Sequence, residues 1–166
     1  QVGAPSNQPA PVEPLKLSGP RFGLTLLSSG IVDVVETELG ESVAPVLTQF
    51  GWQWETRFFS IEGGPTGVSE WVLLVGGLEQ SLFLPSLTWL VGIRSGRGAE
   101  VGVGPNVTPA GAALALAGGV TLQNGPIFFP LNVAVVPSKS GVRVSFLAGF
   151  NMRRPEVNAS AVAPAR

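Results

Sequence analysis

The 166-residue chain has no cysteine and no histidine, and only 13% of its residues are charged. Without these two residue types, structural zinc, thiol redox chemistry and every His-dependent triad or general base are excluded. The 10 basic and 11 acidic residues give about half the ~25% charge of an ordinary soluble domain. A water-soluble domain of this size needs roughly a quarter or more of its surface charged, so the chain is expected in lipid or against other protein. A net charge of -1 and the lack of any basic run leave no electrostatic footprint for nucleic acid. Long hydrophobic runs are missing as well. The best stretches, Trp71 to Leu78 and Leu82 to Ile93, are broken by Gly76, Gly77 and Pro85, so no transmembrane helix is indicated.

Glycine and proline are abundant instead. The 22 Gly and 15 Pro are about 22% of the chain against roughly 12% in average usage, which disfavours long helices. The length predicts one domain. The chain begins at Gln1, as expected of an exported protein whose signal peptide has been removed. Residues 1–20 carry Pro5, Pro9, Pro11, Pro14 and Pro20, and residues 154–166 end in PEVNASAVAPAR. Both are expected to be extended tails flanking a domain at 21–153. Too few large apolar side chains are present for the first tail to fold alone, so contacts through Pro9, Pro11, Leu15 and Leu17, to the domain or to a second copy, would have to order it.

The centre predicts eight strands, near 21–28, 46–59, 67–76, 82–94, 98–107, 112–122, 127–136 and 141–152. The connections GGPTG, GGLEQS, SGRG, TPAG, QNGP and PSKSG have the Gly, Asn and Pro pairs of tight hairpins. Only Ser28 to Pro45 is long. It is acidic (Asp33, Glu36, Glu38, Glu41), and Ile31, Val34, Val35 and Leu39 would form one face of a short helix.

The decisive pattern is the period of two. In the second strand Gln49, Gly51, Gln53, Glu55 and Arg57 alternate with Phe50, Trp52, Trp54, Thr56 and Phe58. Glu70 falls opposite Trp71, Leu73 and Val75. Ser86, Thr88 and Arg94 fall opposite Leu87, Trp89, Val91 and Ile93. Glu100, Gly102, Gly104 and Asn106 oppose Val101, Val103 and Val107, and Arg143 and Ser145 oppose Val142, Val144 and Phe146. Either a soluble barrel points its aromatic face inward, or a membrane barrel points it at lipid and pairs its charges in the lumen. The stretch Val101 to Ser138 has no ionisable side chain over about three strands, which favours the second arrangement. The luminal network is then Glu55, Arg57, Glu70, Arg94, Glu100 and Arg143, beside Leu74, Leu90, Phe128 and Leu147. The outward aromatics are Phe50, Trp52, Trp54, Phe58, Trp71, Trp89, Phe129 and Phe146.

The segments FGWQWETRFF, SEWVLLVGGLEQ and the run from FLPSLTWLVGIRSGRG to GVRVSFLAGFNMR resemble an uncharacterised group of bacterial outer-membrane β-barrel proteins. The resemblance covers roughly residues 21–153 and is similar in architecture to small OmpA/OmpX-like barrels. It implies an all-β, eight-stranded, up-and-down barrel in the outer membrane. An even strand number puts both tails on one, periplasmic, side and the long acidic loop on the other.

Paired Glu residues could suggest glycoside hydrolysis, but partners for the luminal Arg residues are the commoner role. Gly102 and Gly104 match only part of a phosphate loop and no helix signal follows, so they are read as small lumen residues. The four Trp residues are read as lipid-facing anchors rather than a ligand cage, and the sequons at Asn106 and Asn158 as chance. No catalytic residue, metal or cofactor is expected. Three functions are compatible with the pattern. The first is a non-enzymatic structural outer-membrane barrel with a side-chain-filled lumen, self-associating through its tails. The second is a subunit of an extracellular or cell-surface homopolymer, with neighbouring copies instead of lipid on the apolar belt. A lipocalin-like carrier of an apolar ligand is the third.

Overall fold

A strand with one polar and one aromatic face needs a sheet whose two sides see different surroundings, and the chain builds one that closes on itself. The computed structural model describes residues 16–125 and 127–153. Strand β1 (Lys16–Leu27) is followed by helix α1 (Ser29–Leu39) and by β2 (Val46–Ser60), β3 (Thr66–Gly76), β4 (Leu84–Arg94), β5 (Ala99–Thr108), β6 (Gly111–Asn124), β7 (Ile127–Ser138) and β8 (Gly141–Gly149). A short β9 (Asn151–Arg153) resumes the line of β8 after Phe150. Each strand pairs antiparallel with the next, and β1 closes the ring against both β2 and β8. The architecture is thus a closed, eight-stranded, up-and-down β-barrel.

Two boundaries differ from expectation. The first strand starts at Lys16, within the stretch expected to be a tail. Leu17 pairs with Glu55 on β2 and Arg153 on β9 and is buried, so it belongs to the barrel wall and not to a tail contact. Pro9, Pro11 and Leu15, as well as residues 154–166, lie outside the described residues. The last strand is also split at Phe150, with β9 pairing to β1 and β7.

Strand closure in so small a barrel brings backbones close together. A Cβ on Gly104 would fall 1.8 Å from the carbonyl oxygen of Trp89, and one on Gly23 would fall 1.8 Å from that of Phe146. Glycine is what lets the strands coil this tightly. Near the end of β2 the register with β3 slips between Arg57 and Phe59. This bulge turns both Phe58 and Phe59 outward, where their rings meet edge to face at 5.3 Å. Gly67 beneath leaves them room, since a Cβ there would lie 2.3 Å from the Phe59 ring.

Helix α1 lies over one mouth of the barrel. Its buried residues Ile31 and Val35 pack with Leu27, Val43, Leu47 and Leu82. Ser28 fixes its start: its backbone N–H donates to the Val142 carbonyl at the beginning of β8, and Val142 N donates back to Ser28 Oγ, both at 3.0 Å. Gly40, at φ 70°, ends it by donating to Glu36 O, a left-handed cap that glycine adopts without strain. The Glu36 carboxylate then accepts from Val43 N and Ser42 Oγ, which turns the chain back toward β2.

Candidate functional site

Because side chains alternate along each strand, the residues that face the lumen are fixed once one of them is placed. The lumen divides into three levels. At the end away from α1, where β4 ends and β5 begins, Arg94 is the hub. Its Nη1 and Nη2 donate to Glu55 Oε1 and Oε2 at 2.6 and 2.8 Å, and its Nε donates to Glu100 Oε2 at 2.6 Å. Glu70 Oε1 lies 3.5 Å from Arg94 Nη2. Arg57 Nε adds a bond to Glu55 Oε1 at 3.0 Å while its guanidinium sits over the Phe128 ring. Asn132 Nδ2 donates to Glu100 Oε1. Glu55, Arg57, Glu70, Arg94 and Glu100 are therefore brought together.

Arg143 is not part of that cluster. Its Nη2 donates to Asn106 Oδ1 at 2.6 Å, and Asn106 Nδ2 in turn donates to Ser86 Oγ and Thr88 Oγ1, both at 2.8 Å. No carboxylate among the described residues lies within ion-pair distance of it. With Thr25, which bonds Gln49 and Ser145, this forms a neutral polar level around one lone cation. The apolar residues Leu90, Ala115 and Val136 fill the space beside it.

Sequence reasoning also missed Arg21, the largest fully buried side chain. Its Nε donates to Gln53 Oε1, its Nη2 to Asn151 Oδ1 and its Nη1 to the Pro20 carbonyl, at 2.8 to 2.9 Å. The signal was present: Arg21, Gly23 and Thr25 alternate with Phe22, Leu24 and Leu26, the same test that placed Glu55. The lumen consequently holds four Arg against three Glu rather than equal numbers.

The third level is a cavity of about 380 Å³ between α1 and the barrel mouth. It is lined by Val34, Val35 and Leu39 of the helix, by Leu47, Leu84 and Ala113 of the wall, and by Arg143 at its base. Beneath it the free space falls to about 60 Å³ beside Asn106 and to about 10 Å³ beside Glu70 and Glu100.

On the outer wall, Phe50, Trp52, Trp54, Phe58, Trp71, Trp89, Phe129 and Phe146 are all exposed. Trp54, Trp71 and Trp89 stand in direct register across β2, β3 and β4, and the last two stack at 5.9 Å. The row crosses the middle of β3 and β4 instead of a rim. Trp89 Nε1 donates to Ser69 Oγ at 3.0 Å, which satisfies two outward polar groups at once.

No protein-family model, curated protein or solved structure matches the chain.

Proposed function

We propose that the chain is a non-enzymatic, membrane-spanning β-barrel of a bacterial outer membrane. One observation carries this reading. Among the described side chains, no outward residue of strands β1 to β8 is ionisable, while Arg21, Glu55, Glu70, Arg94, Glu100 and Arg143 all turn inward. Outward positions from Ala112 to Leu122 on β6 cover ~34 Å of chain at ~3.4 Å per residue; at a ~40° tilt that is ~26 Å of height. Outer-membrane barrels carry an apolar band of about 25 Å. Monomeric soluble proteins rarely leave an apolar patch beyond about 300–600 Å² uncovered. Closure leaves no strand edge, as hydrocarbon requires, and the Trp89 to Ser69 bond satisfies the indole N–H at mid-height, where water is absent.

A structural role, with no chemistry of its own, is supported by how Glu55 and Glu100 are engaged, while Glu70, whose Oε1 has no hydrogen-bond partner, sits at the narrowest level of the lumen. Both Glu55 oxygens are held by Arg94, one of them also by Arg57, and Glu100 is shared between Arg94 and Asn132. Neither is left to act as an acid or a nucleophile. Self-association through the N-terminal tail belongs to the same proposal and is supported by composition: Pro5, Pro9, Pro11 and Pro14 precede β1. A deletion probing it should stop at Leu15, because removing residues 1–19 would cut into β1.

The test uses the four Trp residues as they are, since every one faces outward. In liposomes containing phospholipid brominated along its acyl chains, their fluorescence should fall as the brominated fraction rises. Fluorescence indifferent to brominated lipid, in a protein that stays dispersed without detergent, would overturn the membrane reading in favour of a surface assembly.

A further inference from the structure

The cavity under α1 is not explained by a barrel that only spans a membrane. A purely structural cap would pack its whole apolar face onto the wall, whereas α1 does so through Ile31 and Val35, with Val32 packed in part beside them. Val34 and Leu39, on the same helix, instead line open space, with Leu84 and Ala113 on the facing wall and Pro109 and Pro137 at its edge. At about 380 Å³ the space lies within the ~300–1,000 Å³ range of small-molecule sites and has their composition, mostly apolar with a few convergent polar groups. It lies at the low end of that range, enough for one short chain.

Its charges specify the rest. Three ionisable residues line it: Arg143 at the base, Lys139 and Glu38 near the rim. Glu38 and Lys139 are exposed to solvent, whereas Arg143 is recessed and has no carboxylate partner among the described residues. Among the described residues its one hydrogen bond runs from Nη2 to Asn106 Oδ1; the second Nη2 hydrogen, paired with Nε or with Nη1, is left to take an oxyanion in the two-pronged manner guanidinium favours. Arg143 is half-buried, and a cation that loses part of its water without gaining a counter-ion is held at a cost. An anion arriving from the apolar side would remove that cost, and a carboxylate would suit the planar fork.

We infer that the mouth of the barrel binds a single-chain carboxylate amphiphile, a medium-chain fatty acid, with its head on Arg143 and its chain along Val34 and Leu39 of α1. The site needs the barrel and its helix and does not depend on what covers the outer wall. It also differs from a lipocalin-like carrier, whose ligand would fill the barrel itself: the lumen below Arg143 is occupied by side chains.

The protein held in amphipol, free of detergent micelles, is titrated with octanoate labelled with ¹³C at the carboxyl carbon, and with octanol as the headless control. Saturable binding of octanoate is expected, with a shifted carboxyl resonance, and octanol should bind more weakly. Arg143→Gln should weaken octanoate by about tenfold or more, the change expected when a charge-assisted pair is lost, and leave octanol unchanged. Ala110→Trp, a substitution in an exposed turn at the cavity edge that leaves the luminal network intact, should block both probes. If Arg143→Gln is too unstable to purify, the Ala110→Trp result decides on its own. Octanoate binding no greater than that of amphipol alone, or equal in wild type and Ala110→Trp, would overturn the inference. The brominated-lipid result is independent of these outcomes, so the two can fail separately.

Discussion

At the scale of single residues, Arg94 has the most to lose. It is the shared partner of Glu55, Glu70 and Glu100, and the one ion pair left to them if it were replaced would be that of Arg57 with Glu55. Removing one member of a buried ion network leaves uncompensated charge and costs about 3–5 kcal/mol. Arg94→Leu is therefore expected to lower unfolding stability by that amount in a urea titration, whereas Arg97→Leu, in an exposed turn, should stay within about ±0.5 kcal/mol. Equal midpoints for Arg94→Leu and wild type would mean that the network does not hold the barrel together. The in-or-out placement of these residues was legible because parity is local: Glu55 and Trp54 are neighbours on opposite faces. The partner of Arg143 was not. Which luminal residues meet depends on height along the barrel axis, and height comes from the stagger between strands, which no period within one strand records. Arg143 sits across from Val136 and Leu27, toward the α1 end, while Glu100 pairs with Arg94 at the other end.

At the scale of elements, the strands and their turns were readable because Gly and Asn mark hairpins wherever alternation stops. The start of β1 was hidden by composition. Pro20 and the prolines before it read as a tail, yet Lys16 to Gly19 pair with β2, and a proline is tolerated where its missing N–H breaks only one ladder bond. Helix α1 was expected from the spacing of Ile31, Val34, Val35 and Leu39; that only part of this face would be packed could not be read, because the opposing wall is assembled from strands far apart in sequence. The short turn Leu78–Gln80 joining β3 to β4 shows how these ends are secured. The Thr48 hydroxyl and backbone N–H both donate to the Glu79 carboxylate, and Gln80 Nε2 adds a third bond. The Thr48 hydroxyl bond above all holds the Glu79 pKa down to about 2, from an ordinary value of 4.5. A carboxyl whose pKa is lower in the folded state stabilises that state above its unfolded pKa and ceases to do so as pH falls through its folded pKa. The latch should thus be complete above pH 4.5 and lost toward about pH 2. A carboxyl ¹³C titration of Glu79 should place its midpoint near the lower value, and Glu79→Gln should remove the acid-dependent loosening of the Thr48 amide in hydrogen exchange. A midpoint near 4.5 would show that the bonds to Thr48 do not persist in solution.

For the whole molecule, the three levels of the lumen decide whether anything can pass through it. Eight strands enclose a space that side chains can fill, whereas porins reach an aqueous channel at about sixteen. Here the free space narrows from about 380 Å³ under α1 to about 60 Å³ beside Asn106 and about 10 Å³ beside Glu100. The narrowest level is where Arg94 ties β2, β3 and β5 together through Glu55, Glu70 and Glu100. An ion moving through would have to displace those carboxylates from their partners, against the same few kcal/mol that make the network stabilising. The purified protein in a planar bilayer is therefore expected to show no stable conductance steps at neutral pH. Reproducible large steps from wild-type protein would mean that the lumen opens, and with it that the charged level is a gate and not a plug. Arg94→Leu gives the complementary measurement: flicker that appears only in this variant would locate the seal at Arg94, because the α1 end, with its far larger cavity, is unchanged in both proteins.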